Sequence, residues 1–112
     1  TFAEIGGDEP AEFHQRCASL FKKQLRIEIS DDSGAELKTA HDIKENTVDV
    51  IAHYDVFEHV AEVKDFLTGC HRALKPGGIM ICEVPDIRLY PRNLVMQEPE
   101  HVNHFSISTL YT

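Results

Sequence analysis

The sequence predicts an α/β domain built on a mostly parallel sheet, and three stretches carry that prediction. Val48 to Tyr54 (Val-Asp-Val-Ile-Ala-His-Tyr) has the β-branched content of a buried strand. Val60, Val63, Phe66, Leu67, Cys70, Ala73 and Leu74 recur at helical spacing, which predicts a helix with one buried face. Ile79 to Val84 is a second apolar strand. Strand, helix and strand in that order form a βαβ unit, whose strands run parallel through a right-handed crossover.

The remaining elements follow from the N-terminus. Phe2-Ala3-Glu4-Ile5 is a short apolar strand closed by Gly6-Gly7. From Pro10 to Lys23 the apolar residues Ala11, Phe13, Cys17, Leu20 and Phe21 recur at helical spacing, and Pro10 suits a first helical turn. Leu25 to Ile29 alternates apolar and charged residues as a second strand, and Asp31-Asp32-Ser33-Gly34 is a turn signal. Leu37 to Ala40 reads as a short strand. Lys75-Pro76-Gly77-Gly78 stops the long helix, and Pro85 ends the strand after it. The expected architecture is one domain over residues 1–112 with about five strands.

Composition narrows the function classes. The chain of 112 residues has 11 Lys+Arg against 19 Asp+Glu, a net charge of −8. That balance argues against binding nucleic acid or an anionic membrane surface. No apolar run approaches the roughly 20 residues of a membrane span, and Thr1-Phe2-Ala3-Glu4 lacks the basic and apolar regions of a signal peptide. Cys17, Cys70 and Cys82 are widely spaced, without a Cys-x-x-Cys pair. They read as reduced thiols of a cytoplasmic protein, packed as small core residues.

Four segments then occur in a recognisable order: Asp49-Val50-Ile51, Val56-Phe57-Glu58-His59-Val60, Leu74-Lys75-Pro76-Gly77-Gly78 and Glu83-Val84-Pro85. Together they resemble the central block of class I S-adenosylmethionine-dependent methyltransferases, in the branch that acts on small molecules. Glu100-His101-Val102-Asn103-His104-Phe105-Ser106 is similar to a segment of the same branch that precedes a helix. The resemblance implies a Rossmann-like fold, S-adenosylmethionine as cofactor and methyl transfer to a small-molecule acceptor.

It also implies a site. Glu4, Gly6 and Gly7 fall where the family has its glycine-rich cofactor loop, at which the backbone must approach the ligand closely. Glu28, with Ile29 beside it, matches the carboxylate that accepts from the ribose hydroxyls. Asp42 corresponds to the acid on the adenine amino group, and Ile43 to the apolar residue against the ring. Tyr54, flanked by His53 and Asp55, would line the methionine portion. Glu58, His101 and His104 fall on the acceptor side, and His59 is the candidate general base. The acids equally suit solvated strand ends, and Glu58 a helix N-terminus. His101 and His104 stand three apart beside Glu100 without a third ligand at matching spacing, so no metal site is expected.

The pattern departs from the family in three places. The loop reads Glu4-Ile5-Gly6-Gly7-Asp8-Glu9-Pro10, with Asp8 and Pro10 where the family has glycines. Ser30 to about Glu36 is too short for the usual crossover helix. The sequence stops at Thr112, before the last two strands the family expects. These departures suggest a truncated or minimal member whose open sheet edge could pair two copies into a homodimer. They also raise an alternative function, a non-catalytic methyltransferase-like module acting as an interaction or regulatory partner.

Overall fold

The computed structural model describes residues 1–6, 12–28, 37–89 and 100–110. Four strands form one sheet: β1 (Phe2–Ile5), β2 (Gln24–Ile27), β3 (Val48–Tyr54) and β4 (Leu74–Glu83). The order is β2-β1-β3-β4 and every pairing is parallel. Helix α1 (Glu12–Ser19) links β1 to β2, and α2 (Val63–Ala73) links β3 to β4. A short α3 (Ile107–Leu110) follows Ser106. The fold class expected from sequence is therefore the one observed.

Burial explains why the central strands read as continuous apolar runs. β1 is buried at all four residues, because β2 and β3 flank it and both of its faces are covered. On one face Ala3, Ile5, Ile27, Val48, Ile51, Cys70 and Ala73 form the main core, with Phe66 and Leu74 packed against it. On the other, Phe2 and Ala52 pack with Cys17, Phe21, Val50, Tyr54 and Ile81. The register shift between Val48 and Val50 lets Val48 share a face with Ile51, which strict alternation would forbid.

Several boundaries differ from expectation, each for a local reason. The long helix begins at Val63 instead of Val60, because Phe57–His59 forms its own 3-10 turn and Val60 is extended. Leu74 and the Lys75-Pro76-Gly77-Gly78 segment belong to β4, with Leu74 paired to Val48 and Ile79 to Val50. The strand expected over Leu37 to Ala40 is a single parallel bridge, Ile27 to Leu37, followed by a 3-10 turn at Ala40–Asp42. The described residues thus hold four strands, not five. Leu67, expected in the buried stripe, is 37% exposed, and Cys82 is exposed on β4, which has β3 as its only described neighbour. Gly69 permits the close approach of α2 to the 3-10 turn: a Cβ there would stand 3.0 Å from Ala40 Cβ.

One polar side chain lies in the apolar interior. His53 on β3 is fully buried, and neither ring nitrogen has a hydrogen-bond partner among the described residues. Its ring packs on Phe57 at 4.5 Å between centroids and edge-on to Phe66 at 5.4 Å. Burial without a partner disfavours the imidazolium and pushes its pKa from 6.5 down to about 4. The unfolded chain therefore binds the proton more tightly than the folded one. Folding stability from this group is complete above pH 6.5 and is lost as pH falls toward 4, by up to about 3 kcal/mol. Urea midpoints at pH 7 and pH 5 should differ accordingly, and His53→Leu should flatten that difference; an unchanged slope in the variant would assign the pH dependence elsewhere.

Candidate functional site

The strand order places the site. Between β1 and β3 the order of strand addition reverses, with β2 on one side and β4 on the other, so the connections leaving the carboxyl ends of β1 and β3 diverge. A cavity of about 1160 Å³ opens there. Glu4 and Ile5 of β1, Glu28 after β2, Tyr54 of β3 and Glu83 of β4 all line it, so every strand contributes its carboxyl end.

The turn from Lys38 to His41 forms one wall. Thr39 caps it by accepting the N–H of His41, while Asp42 Oδ2 accepts the N–H groups of Lys38 at 2.9 Å and Thr39 at 2.8 Å. Arg72 of α2 donates to the carbonyls of His41 at 2.6 Å and Ile43 at 2.8 Å, which ties the turn to the helix. His41 Nε2 lies 3.1 Å from Asp65 Oδ2, joining two further residues of the rim.

The expected cofactor residues divide accordingly. Glu4, Gly6, Glu28 and Tyr54 all line the cleft. Glu4 and Glu28 are buried, and burial raises the Glu4 pKa, with Arg26 opposing and Glu28 reinforcing that rise. The Tyr54 hydroxyl is buried without a hydrogen-bond partner among the described residues. Burial raises its pKa too, helped by Cys17, Glu4 and Glu83. Asp55 and His59 also line the cleft, whereas His53 points into the core instead. Asp42 and Ile43 do not line it: the caps occupy the Asp42 carboxylate and hold its pKa below the ordinary value, and Ile43 is 2% exposed in the main core. Thr39 and His41 stand in their place. The pattern Thr39-x-x-Asp42 was the available signal, since a capping box commits both side chains to the backbone. Gly7 and Ile29 lie outside the described residues, as do Asp8 and Pro10.

Of the residues expected near an acceptor, Glu58, His59 and His101 converge and His104 does not join them. Glu58 is 2% exposed, and neither carboxylate oxygen has a hydrogen-bond partner among the described residues. The His59 ring meets the His101 ring at 4.8 Å between centroids, and its Nδ1 lies 3.0 Å from the Glu100 carbonyl oxygen. A carbonyl only accepts, so Nδ1 carries the donated proton. Asn103 organises this wall: its backbone N–H donates to the Glu58 carbonyl at 3.0 Å, and its side-chain amide donates to the carbonyls of Phe57 and Val60. No local spacing signals that long-range clip.

Comparison with known proteins agrees with this geometry. Residues 6–82 match the family described as "Methyltransferase domain". A ubiquinone biosynthesis O-methyltransferase of Maricaulis maris is 33% identical over 87 residues, covering 71% of this chain and 31% of that protein. Its counterpart in Cereibacter sphaeroides is 35% identical over 82 residues, covering 71% of this chain and 32% of that protein. A probable S-adenosylmethionine-dependent methyltransferase of Mycolicibacterium smegmatis is 28% identical over 86 residues, covering 76% of this chain and 32% of that protein. No solved structure matches significantly. The chain belongs to the methyltransferase-domain family, the class I S-adenosylmethionine-dependent methyltransferases. The methyl donor of the family is S-adenosylmethionine. The chain spans about a third of the length of the curated relatives it matches.

Gly6 gives a direct test of how tightly this cleft is built. Its φ is +73°, and a Cβ there would stand 2.6 Å from Val56 Cγ2. Gly6→Ala should destabilise the fold by about 1–3 kcal/mol. Adding Val56→Ala should recover about 0.5 kcal/mol or more relative to additivity. Additive losses in a urea-denaturation cycle would show that backbone conformation, not the Val56 contact, sets the cost.

Proposed function

We propose that the cleft at the β1/β3 switch point binds S-adenosylmethionine and that the protein transfers its methyl group to a small-molecule acceptor, at oxygen. The observation that carries this reading is the pair of buried carboxylates, Glu4 and Glu28, lining one cleft with a Tyr54 hydroxyl that has no hydrogen-bond partner among the described residues. That donor set fits the ligand. Carboxylates accept from hydroxyl and ammonium groups, and a cation beside Glu4 opposes the burial that raises its pKa. The oxygen acceptor is supported by the names of the relatives, which are O-methyltransferases.

Each residue has a defined task in this reading. Glu28 accepts from the ribose hydroxyls at the end of β2, and Glu4 holds the ammonium end beside Gly6, where the backbone turns with positive φ. Tyr54 supplies a hydroxyl to the methionine portion. The Thr39 to His41 turn covers the adenine side in place of Asp42 and Ile43. When bound, the cofactor would supply an electrophilic methyl group for displacement by the acceptor oxygen. Alignment and exclusion of water are the protein's main contributions to such a displacement. The acidic surface favours a small acceptor over a nucleic acid. The cysteines Cys17, Cys70 and Cys82 are free thiols, which fits a reducing cytoplasm.

Calorimetric titration with S-adenosylhomocysteine tests the binding reading. Wild type should bind one equivalent, and Glu28→Gln should weaken binding by about 10- to 100-fold, the scale of losing charge-assisted hydrogen bonds. No heat from a chain that is folded by circular dichroism would refute the assignment.

A further inference from the structure

We infer that Glu83, at the carboxyl end of β4, makes this cleft selective for charge, favouring the sulfonium methyl donor over the uncharged thioether that methyl transfer leaves. The inference rests on the cofactor reading above and adds to it a residue and a selectivity. Tyr54 of β3 and Glu83 of β4 are paired directly in the parallel ladder, so their side chains leave the same face of the sheet, from strands about 4.8 Å apart. Phe2 and Ala52 pack on that face with Tyr54 and Ile81, and alternation along β1 brings Glu4 onto it two residues after Phe2. Glu4, Tyr54 and Glu83 therefore stand in one row across the strand ends, and all three line the cleft.

The charge along this row is unevenly balanced. Arg26, opposite Glu4 in the β1–β2 ladder, offsets the first carboxylate. Glu83 lies on the outer strand, and its side chain has no hydrogen bond or ion pair among the described residues. Its field reaches the Tyr54 hydroxyl: burial is the first cause of the raised Tyr54 pKa, and Cys17, Glu4 and Glu83 add to it. Around the whole cleft six carboxylates face Lys38, the one lysine or arginine that lines it among the described residues. In the cofactor reading the methionine portion lies at Tyr54, which sets the sulfur beside this row. A sulfonium carries a positive charge that the thioether lacks, whereas the adenine, ribose and amino-acid ends are the same in both. Charge at the sulfur is therefore what a carboxylate can read. Glu83 is exposed, so the attraction is moderate and screened by salt. A unit charge at about 4 Å in a water-like dielectric corresponds to about a fivefold change in affinity. The hold weakens once the methyl has left, which favours exchange of product for fresh donor.

The test is calorimetric titration of the chain with S-adenosylmethionine and, separately, with S-adenosylhomocysteine. Each is run in about 0.01 M and about 1 M salt, between which the screening length falls from about 30 Å to about 3 Å. At low salt the sulfonium ligand should bind about 3- to 10-fold more tightly than the thioether, and high salt should bring the two together. Glu83→Gln should remove most of that preference by weakening S-adenosylmethionine alone, with the unchanged affinity for S-adenosylhomocysteine showing an intact cleft. Glu62→Gln, which removes an equal charge from the α2 end of the cleft, should keep the preference. Thioether binding as tight as sulfonium binding at low salt, a preference that survives Glu83→Gln, or equal weakening of both ligands by that variant would overturn the inference and leave the cofactor reading in place. Binding of neither ligand would overturn both.

Discussion

The reversal of strand order between β1 and β3 is the constraint on which the rest of the molecule depends. The two strands are paired in parallel with Ile5 opposite His53, so they end at nearly the same level. Their connections must leave in different directions, because β2 lies on one side and β4 on the other. That divergence opens the cleft and requires the backbone to turn sharply within a residue or two of each strand end. Gly6 makes the turn after β1 with φ of +73°, and Asp55 makes it after β3 with φ of +51°. Val56 then packs so close to Gly6 that a side chain at Gly6 would collide with it. Sheet topology, glycine and cleft are one piece of geometry.

The long, strongly patterned elements were legible in the sequence. β3 and α2 are where hydrophobic periodicity put them, because burial on a sheet face or a helix stripe selects residue type directly. The parallel arrangement followed from their order. Less legible were the places where a local polar interaction overrides periodicity. The third strand shrinks to the bridge at Leu37 because Thr39 and Asp42 close a capped turn immediately afterwards. Cys82 looked like a core residue because the strand around it is apolar, but it sits on a strand with one described neighbour.

The site divided along the same line. Glu4, Glu28 and Tyr54 were readable because a residue at a parallel-strand carboxyl end faces the cleft by topology alone. Asp42 does not line the cleft although its position matched, and its Oδ2 accepts two backbone N–H groups of the capped turn. His101 could be read only as one of a histidine pair three residues apart, since its true neighbours come from the turn after β3. Tertiary contacts of that kind leave no trace in local spacing.

A chain with net charge −8 pays for burying further carboxylates, so their positions carry information. Three buried acids stand at or beside this cleft: Glu4 and Glu28 on the β1/β2 side, and Glu58 on the turn after β3. Asn103 ties the turn that carries Glu58 to a distant segment. It fastens the segment of His101 to the carbonyls of Phe57, Glu58 and Val60, beside the cavity that His59 and Val60 line.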